Sequence, residues 1–416
     1  MTKFSNLLAL LCLLSGSALA SVDSPPVFDV RSPGHPGDEV QSHAQEFEAR
    51  KHGHHHHHHH HHLHHAQQPQ KQQPEPEPQP PQVKHGVASV QQQSNAQEDT
   101  VQWGNDSRDW KLVVKIDHTN FYEEMNTFVG ADPTKGMVRY VSMKEARQHG
   151  LVNTDNGQIY MGMSKQKVNG AYLSIRPSTV KTFTEGLVIV KVKHMPAACG
   201  SWPAIFTVAP SGNWPGDGEI DIVEGVHSYK SNKMSIHTNP GCHMKDWALP
   251  LQLGELGSES SKNCAAYQTD DKGCAIQSQQ DDFGAAVNEH GFGMYMMAWD
   301  ENHGVSVYHS KDLTPDIASG KPDPKTWGKP TSYWPAEGCS PSNYFRKHAA
   351  VITNTFGGTW AGNQQVWEWK GTMEKSCKEK TGFGSFWDYV NSGKVDLGEA
   401  YWAIEDIQIW QKQRKP

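Results

Sequence analysis

From Trp110 onward the chain is a succession of short apolar runs, most with period two, each closed by Gly, Pro, Asn or Asp. WKLVVKID, GMVRYVS, QIYMGM, AYLSIRP, GLVIVKVKH, PAIFTVAP, GEIDIVEG, KMSIHT, GMYMMAWD, GVSVYHS, HAAVITNTF and AYWAIEDIQIW all read as strands. Only KEARQHG and SFWDYVNSG suggest short helices. Many strands with few helices specify an all-β fold, a sandwich or jelly roll forming one domain. GLVIVKVKH and AIEDIQIW are rich in β-branched residues and belong at the centre of a sheet.

The core-forming material lies in the last three-quarters of the 416 residues, since all 14 Trp fall at or beyond Trp103. The start is different. A charged Met-Thr-Lys, the apolar run LLALLCLL and the small-residue end Ala18-Leu19-Ala20 predict a secretory signal peptide over residues 1–20. Residues 21–108 form a low-complexity extension: 14 of the 25 His lie within residues 35–65, and Gln/Pro/Glu repeats follow. Such a composition cannot bury enough apolar surface to offset its ordering entropy, so it is expected to stay extended or disordered. The His tract offers neutral imidazoles to divalent metals. We read it as a polar spacer with incidental metal affinity rather than as a dedicated metal site. Residues 109–412 are then the folded domain.

The net charge of −7 gives no electrostatic footprint for nucleic acid or an anionic membrane surface. No later segment has the length of a transmembrane helix, and the polar end IWQKQRKP lacks the apolar tail of a lipid-anchor signal. The expectation is a secreted, extracellular protein without a membrane anchor. Beyond Cys12 in the leader, Cys199, Cys242, Cys264, Cys274, Cys339 and Cys377 remain. An even number in an exported chain implies up to three disulfides, with the pairing left open. No CxxC spacing supports zinc.

The segment GDGEIDIVEG carries Glu219, Asp221 and Glu224 among Ile220, Ile222 and Val223. On a regular strand, residues 219 and 221 share one face and 224 takes the other. A β-bulge within Ile222-Val223 would restore the phase and turn Glu224 onto the acidic face. The outer carboxylates would then be roughly 13 Å apart at the backbone. Two long Glu side chains leaning inward could close that to the ~5–5.5 Å of a retaining glycosidase. Three carboxylates on one face cannot all ionise freely, which supplies both an acid and a base. A solvated acidic face on an ordinary amphipathic strand would give the same spacing. Gly216 and Gly218 would permit close ligand approach, and Trp202 and Trp214 flank the strand in sequence. Indole faces stack on sugar rings, although a lone Trp is more often core.

WPAIFTVAPSGNWPGDGEIDIVEGV resembles the active-site region of glycoside hydrolase family 16, specifically the fungal laminarinase-like endo-1,3(4)-β-glucanases. The resemblance continues through FVGADPTKGMVRYVS, GLVNTDNGQIYMGM, KHMPAACGSWPA, SIHTNPGC, SGKPDPKTWG, FGGTWAG and AYWAIEDIQIW. It implies a concanavalin-like β-jelly roll with a concave substrate cleft and a β-glucan substrate. It also implies Glu219 as nucleophile, Glu224 as general acid/base, and Asp221 as the residue that tunes the nucleophile. Trp202, Trp214 and His237 match cleft positions, while Trp299 in MMAWD fits the core. The chemistry requires no cofactor. Phe206 stands where the family commonly has Trp, and Gly357 and Trp387 stand where many relatives have Cys. The function implied is endo-hydrolysis of β-1,3- and mixed β-1,3/1,4-glucans with retention. The rivals are a cell-wall glucan transglycosylase and a catalytically silent glucan-binding protein.

Overall fold

β-Branched content decides which strands sit centrally. In the computed structural model, which describes Val101, Trp103 and residues 109–412, Gly186–His194 and Trp402–Lys412 lie side by side in the middle of one sheet. That sheet runs in the order Ser332–Pro335, Gly304–Ser310, Gly293–Asp300, Gly186–His194, Trp402–Lys412, Ile159–Met161 and Val152–Asn153. Trp110–Asp117 pairs along Trp402–Lys412. The leader, the His tract with its proposed metal affinity and the Gln/Pro repeats lie outside the described residues.

The second sheet runs Glu255–Leu256, Cys274–Gln277, Lys233–His237, Glu219–Glu224, Ser201–Val208, Ala349–Phe356, Pro177–Thr179 and Met125–Thr127. The pairings in both sheets are antiparallel. The acidic segment is thus a central strand, bordered by Ser201–Val208 on one side and Lys233–His237 on the other. Between the sheets, Val188, Val190 and Val192 meet Ile205, Ile220, Ile222, Met234, Ile236 and Ile352 in one core. The fold is the all-β sandwich expected.

Within Gly186–His194 the stretch 187–190 is an unbroken apolar run because both of its faces are covered. Leu187 and Ile189 point away from the core into a second cluster with Met294, Met296, Tyr308 and Ile317. At the edge of the fold, Val101 packs with Ala248 and Tyr333, and the Trp103 indole stacks on His303 at 3.6 Å between ring centres.

Both expected helices form, over Met143–Gln148 and Phe386–Asn391, each with a Ser at its N-cap accepting a backbone N–H. The expectation of only two is corrected, since Gly284–His290, Gln364–Glu368 and Cys377–Thr381 are also helical. Five to seven residues are too few for a helical period to register against the strand background. All six cysteines pair, as Cys199–Cys377, Cys242–Cys339 and Cys264–Cys274.

Candidate active site

The register of the acidic strand is fixed by what it buries. Ile220, Ile222 and Val223 are fully buried in the inter-sheet core. Burying three such side chains contributes roughly 5–9 kcal/mol, and a one-residue slip would turn them out. Ile222 and Val223 are consecutive, so two neighbouring side chains enter the same core. That is possible only with an extra residue in the strand.

The pairing shows it. Against Ser201–Val208, Val223 lies opposite Ile205 while Asp221 lies opposite Phe206, so the count slips by one. Against Lys233–His237, Asp221 faces Ser235 and Glu224 faces Lys233, and the same residue is surplus. The β-bulge expected within Ile222-Val223 is present, and it brings Glu224 onto the face of Glu219 and Asp221. The cross-strand partners on that face are Val208, Phe206 and Ala204, which belong to a cluster with Val351 and Trp214, separate from the inter-sheet core. On the other side, the polar alternation of KMSIH supplies His237, Ser235 and Lys233 opposite Glu219, Asp221 and Glu224.

Each carboxylate has its own partners. The Trp214 indole N–H donates to Glu219, and the Trp202 indole N–H donates to Glu224 Oε1 at 3.0 Å. Trp202 and Trp214 therefore lie beside the acidic face, and each holds one outer carboxylate as well as presenting a ring. Asp221 is buried between them. It accepts from the Ser235 hydroxyl, and His237 Nε2 lies 3.0 Å from Asp221 Oδ2. Lys233 Nζ approaches Glu224 Oε2 at 3.7 Å and sits over the Trp360 ring, 4.6 Å from its centre. Trp360 in turn packs edge-on against Trp202.

These surroundings shift the two outer carboxylates and His237. Burial, reinforced by the Asp221 charge, pushes Glu219 up to about 7, against the pull of His237, the Trp214 hydrogen bond and Arg176. Burial also raises Glu224, opposed first by the Lys233 ammonium. For His237, burial acts to lower the pKa, but the hydrogen bond and charge of Asp221 outweigh it, so the net shift is upward. Glu219 and Glu224 thus resist ionisation, while Asp221 draws His237 toward its protonated form.

The structure brings Trp202, Trp214 and His237 beside the face that carries Glu219, Asp221 and Glu224, and Trp299 is buried in the core against Phe183 and Phe345. Gly218, at φ +78°, lies against the Phe345 ring and the Tyr344 carbonyl, and a Cβ at Gly216 would meet the Asn213 side chain. Both lie in the turn ahead of the acidic strand, where a side chain would meet these protein atoms. Ser235, Lys233, Trp360 and Asn232 were missed. The first two were readable from the alternation of KMSIH once its strand was paired with the acidic one. Among the described residues no His, Cys, Asp or Glu cluster fits a metal ion. A cavity of about 600 Å³ lined by Trp103, Trp110, Trp410 and Lys412 contains none of the three carboxylates.

Residues 125–410 match the family model described as the XgeA-like catalytic GH16 domain. The chain belongs to glycoside hydrolase family 16. Among its relatives, a probable endo-1,3(4)-beta-glucanase of Aspergillus fumigatus is 33% identical over 318 residues, 73% of this chain and 46% of that protein. A probable glycosidase of Schizosaccharomyces pombe is 30% identical over 311 residues, 73% of this chain and 70% of that one. This chain therefore spans about half the length of its Aspergillus relatives. Laminarinase 16A from Phanerochaete chrysosporium, solved with 6-O-glucosyl-laminaritriose in donor and acceptor sites, is 28% identical with a TM-score of 0.65, over 73% of this chain and 99% of that one. A family 16 elongating beta-1,3-glucosyltransferase is 29% identical with a TM-score of 0.62, over 73% of this chain and 100% of that one. The family match and the two packed sheets agree on the jelly roll. Among the described residues no helix is long and apolar enough to cross a membrane.

Proposed function

We propose that this chain is a secreted endo-β-glucanase that hydrolyses β-1,3- and mixed β-1,3/1,4-glucans by retaining double displacement. The observation that carries the reading is the bulged strand, which gathers Glu219, Asp221 and Glu224 on one sheet face between two indole N–H donors. Protonated Glu224 gives its proton to the departing glycosidic oxygen while the Glu219 carboxylate attacks the anomeric carbon. The glycosidic bond breaks and a Glu219 glycosyl ester forms. Glu224, now ionised, takes a proton from water, whose oxygen attacks the same carbon and releases the sugar with its original configuration. Asp221, with Ser235 and His237 behind it, fixes the electrostatics that Glu219 experiences. Trp202 and Trp214 flank the cleavage point and bind sugar, and His237 borders the same site.

In domain terms, we assign residues 1–20 to a signal peptide, 21–108 to the His-rich and Gln/Pro-rich extension and 109–412 to the catalytic domain. Reducing-end release from laminarin, lichenan and cellulose tests the activity. The expected result is release from laminarin and lichenan, lost by at least about 10³-fold in Glu219→Ala and in Glu224→Ala with the fold intact. Release at the wild-type rate in either variant would remove the assignment.

A second reading is transfer of the glycosyl ester to a sugar acceptor. The similarity to the elongating glucosyltransferase favours it, since that identity equals the laminarinase's within one per cent. Added laminari-oligosaccharide acceptors separate the two: longer products mean transfer, and unchanged product lengths mean hydrolysis.

A further inference from the structure

The bulge that assembles the acidic face has a cost, because an inserted residue takes backbone groups out of the ladder. Those groups are the Ile222 carbonyl and the Glu224 N–H, and one side chain serves both. Asn232 accepts from the Glu224 N–H through Oδ1 at 2.9 Å and donates from Nδ2 to the Ile222 carbonyl at 2.9 Å. Asn232 is 1% exposed. It is itself held on every side. Its N–H donates to Asp282 Oδ1 at 2.8 Å, and its carbonyl accepts from the Ser278 N–H at 2.8 Å and from the Gln277 amide at 3.0 Å. Asp282 is fully buried, accepts the Ser278 hydroxyl at 2.7 Å, and has its backbone carbonyl bound by the Tyr295 hydroxyl at 2.6 Å.

We propose that Asn232 is a positioning residue for the acid/base carboxylate: its amide spans the bulge and sets the point from which Glu224 projects. The inference rests on the hydrolase reading above. Among the described residues no other side chain is bonded to the Glu224 main chain, whereas the Glu224 carboxylate is met by Trp202 from one neighbouring strand and Lys233 from the other. The charged groups facing Glu224 are Lys233, Asp221 and His237, with Asp282 lying behind Asn232. An Asn at this point supplies one acceptor and one donor without charge. Asp keeps the acceptor, loses the donor and adds a negative charge beside Glu224.

The test compares laminarin with 2,4-dinitrophenyl β-laminaribioside, whose leaving group departs without a proton. Misplacing the acid harms the first substrate and spares the second. In Asn232→Ala we expect kcat/KM to fall about 100-fold on laminarin, with the aryl glycoside changed by less than about threefold. Glu224→Ala gives the same split with a larger loss. Asn232→Asp keeps the Glu224 N–H bond, so it is expected to lose less on laminarin and to move the alkaline limb of kcat/KM to higher pH. If Asn232→Ala melts out at assay temperature, Asn232→Asp carries the comparison.

Equal losses on both substrates, an unshifted alkaline limb in Asn232→Asp, or failure of both variants to fold would make Asn232 a structural residue only and overturn the proposal. The two levels separate cleanly. A wild type inactive on both substrates removes the hydrolase reading and the inference with it. An active wild type whose Glu224→Ala variant shows the split while Asn232→Ala does not removes the inference alone.

Discussion

At Glu219 the folded state binds a proton more tightly than the unfolded chain does, because burial and the Asp221 charge both disfavour its ionised form. The sign of the linkage follows. The native state gains from this group at low pH, and that gain is lost as pH rises from the ordinary Glu value through about 7. Glu219→Gln removes the titration, so it is expected to melt a few degrees above wild type at pH 8 and at the wild-type temperature near pH 4. Equal melting temperatures at both values would show that the carboxylate is not strained by its surroundings. His237 acts in the opposite direction, its positive charge lowering both Glu219 and Glu224. His237→Gln should therefore raise the Glu219 pKa and shift the acid limb of kcat/KM to higher pH. An unchanged acid limb would mean that the imidazole is neutral in the working enzyme.

On the scale of elements, the loop closed by Cys264–Cys274 buttresses the site from the side of His237. Gly273, at φ +57°, packs so closely that a Cβ would lie 2.3 Å from the Ile236 carbonyl and 2.9 Å from His237 Nδ1. Tyr267 in the same loop meets the Trp214 ring edge-on. This bridge spans only 10 residues, so it constrains the unfolded chain less than the longer ones. Replacing both cysteines by Ser should cut activity more than stability, with laminarin turnover falling severalfold while the melting temperature drops modestly. The reverse ordering would place the loop outside the site. The bulge itself was legible, because the spacing of Glu219, Asp221 and Glu224 makes sense on one face only with an added residue. Its clamp was not. Asn232 stands eight residues from Glu224 in sequence, and nothing in local periodicity says that its amide turns back across the strand. The short helices escaped for a related reason, since Gly284–His290 is two turns long and is defined by packing rather than by an amphipathic repeat.

For the whole molecule, alternation and β-branching were enough to identify two packed sheets and to place Gly186–His194 and Trp402–Lys412 centrally. Disulfide pairing was not readable, because it joins segments 178 and 97 residues apart. Cys199–Cys377 ties the start of the strand bearing Trp202 to a helix near the C-terminal end, and its removal should cost about 2–5 kcal/mol, more than the loss at Cys264–Cys274. Urea denaturation of the two double-Ser variants ranks them directly. The central claim, that this fold presents Glu219 as a nucleophile opposite the acid Glu224, is tested most directly by trapping the glycosyl ester. Incubation with an activated 2-deoxy-2-fluoro-β-laminaribioside, followed by peptide mass analysis, should find the sugar on the peptide containing residue 219, with the ester on Glu219. Sugar attached to Glu224 would contradict the assignment, and so would an unlabelled enzyme whose laminarin products carry inverted configuration.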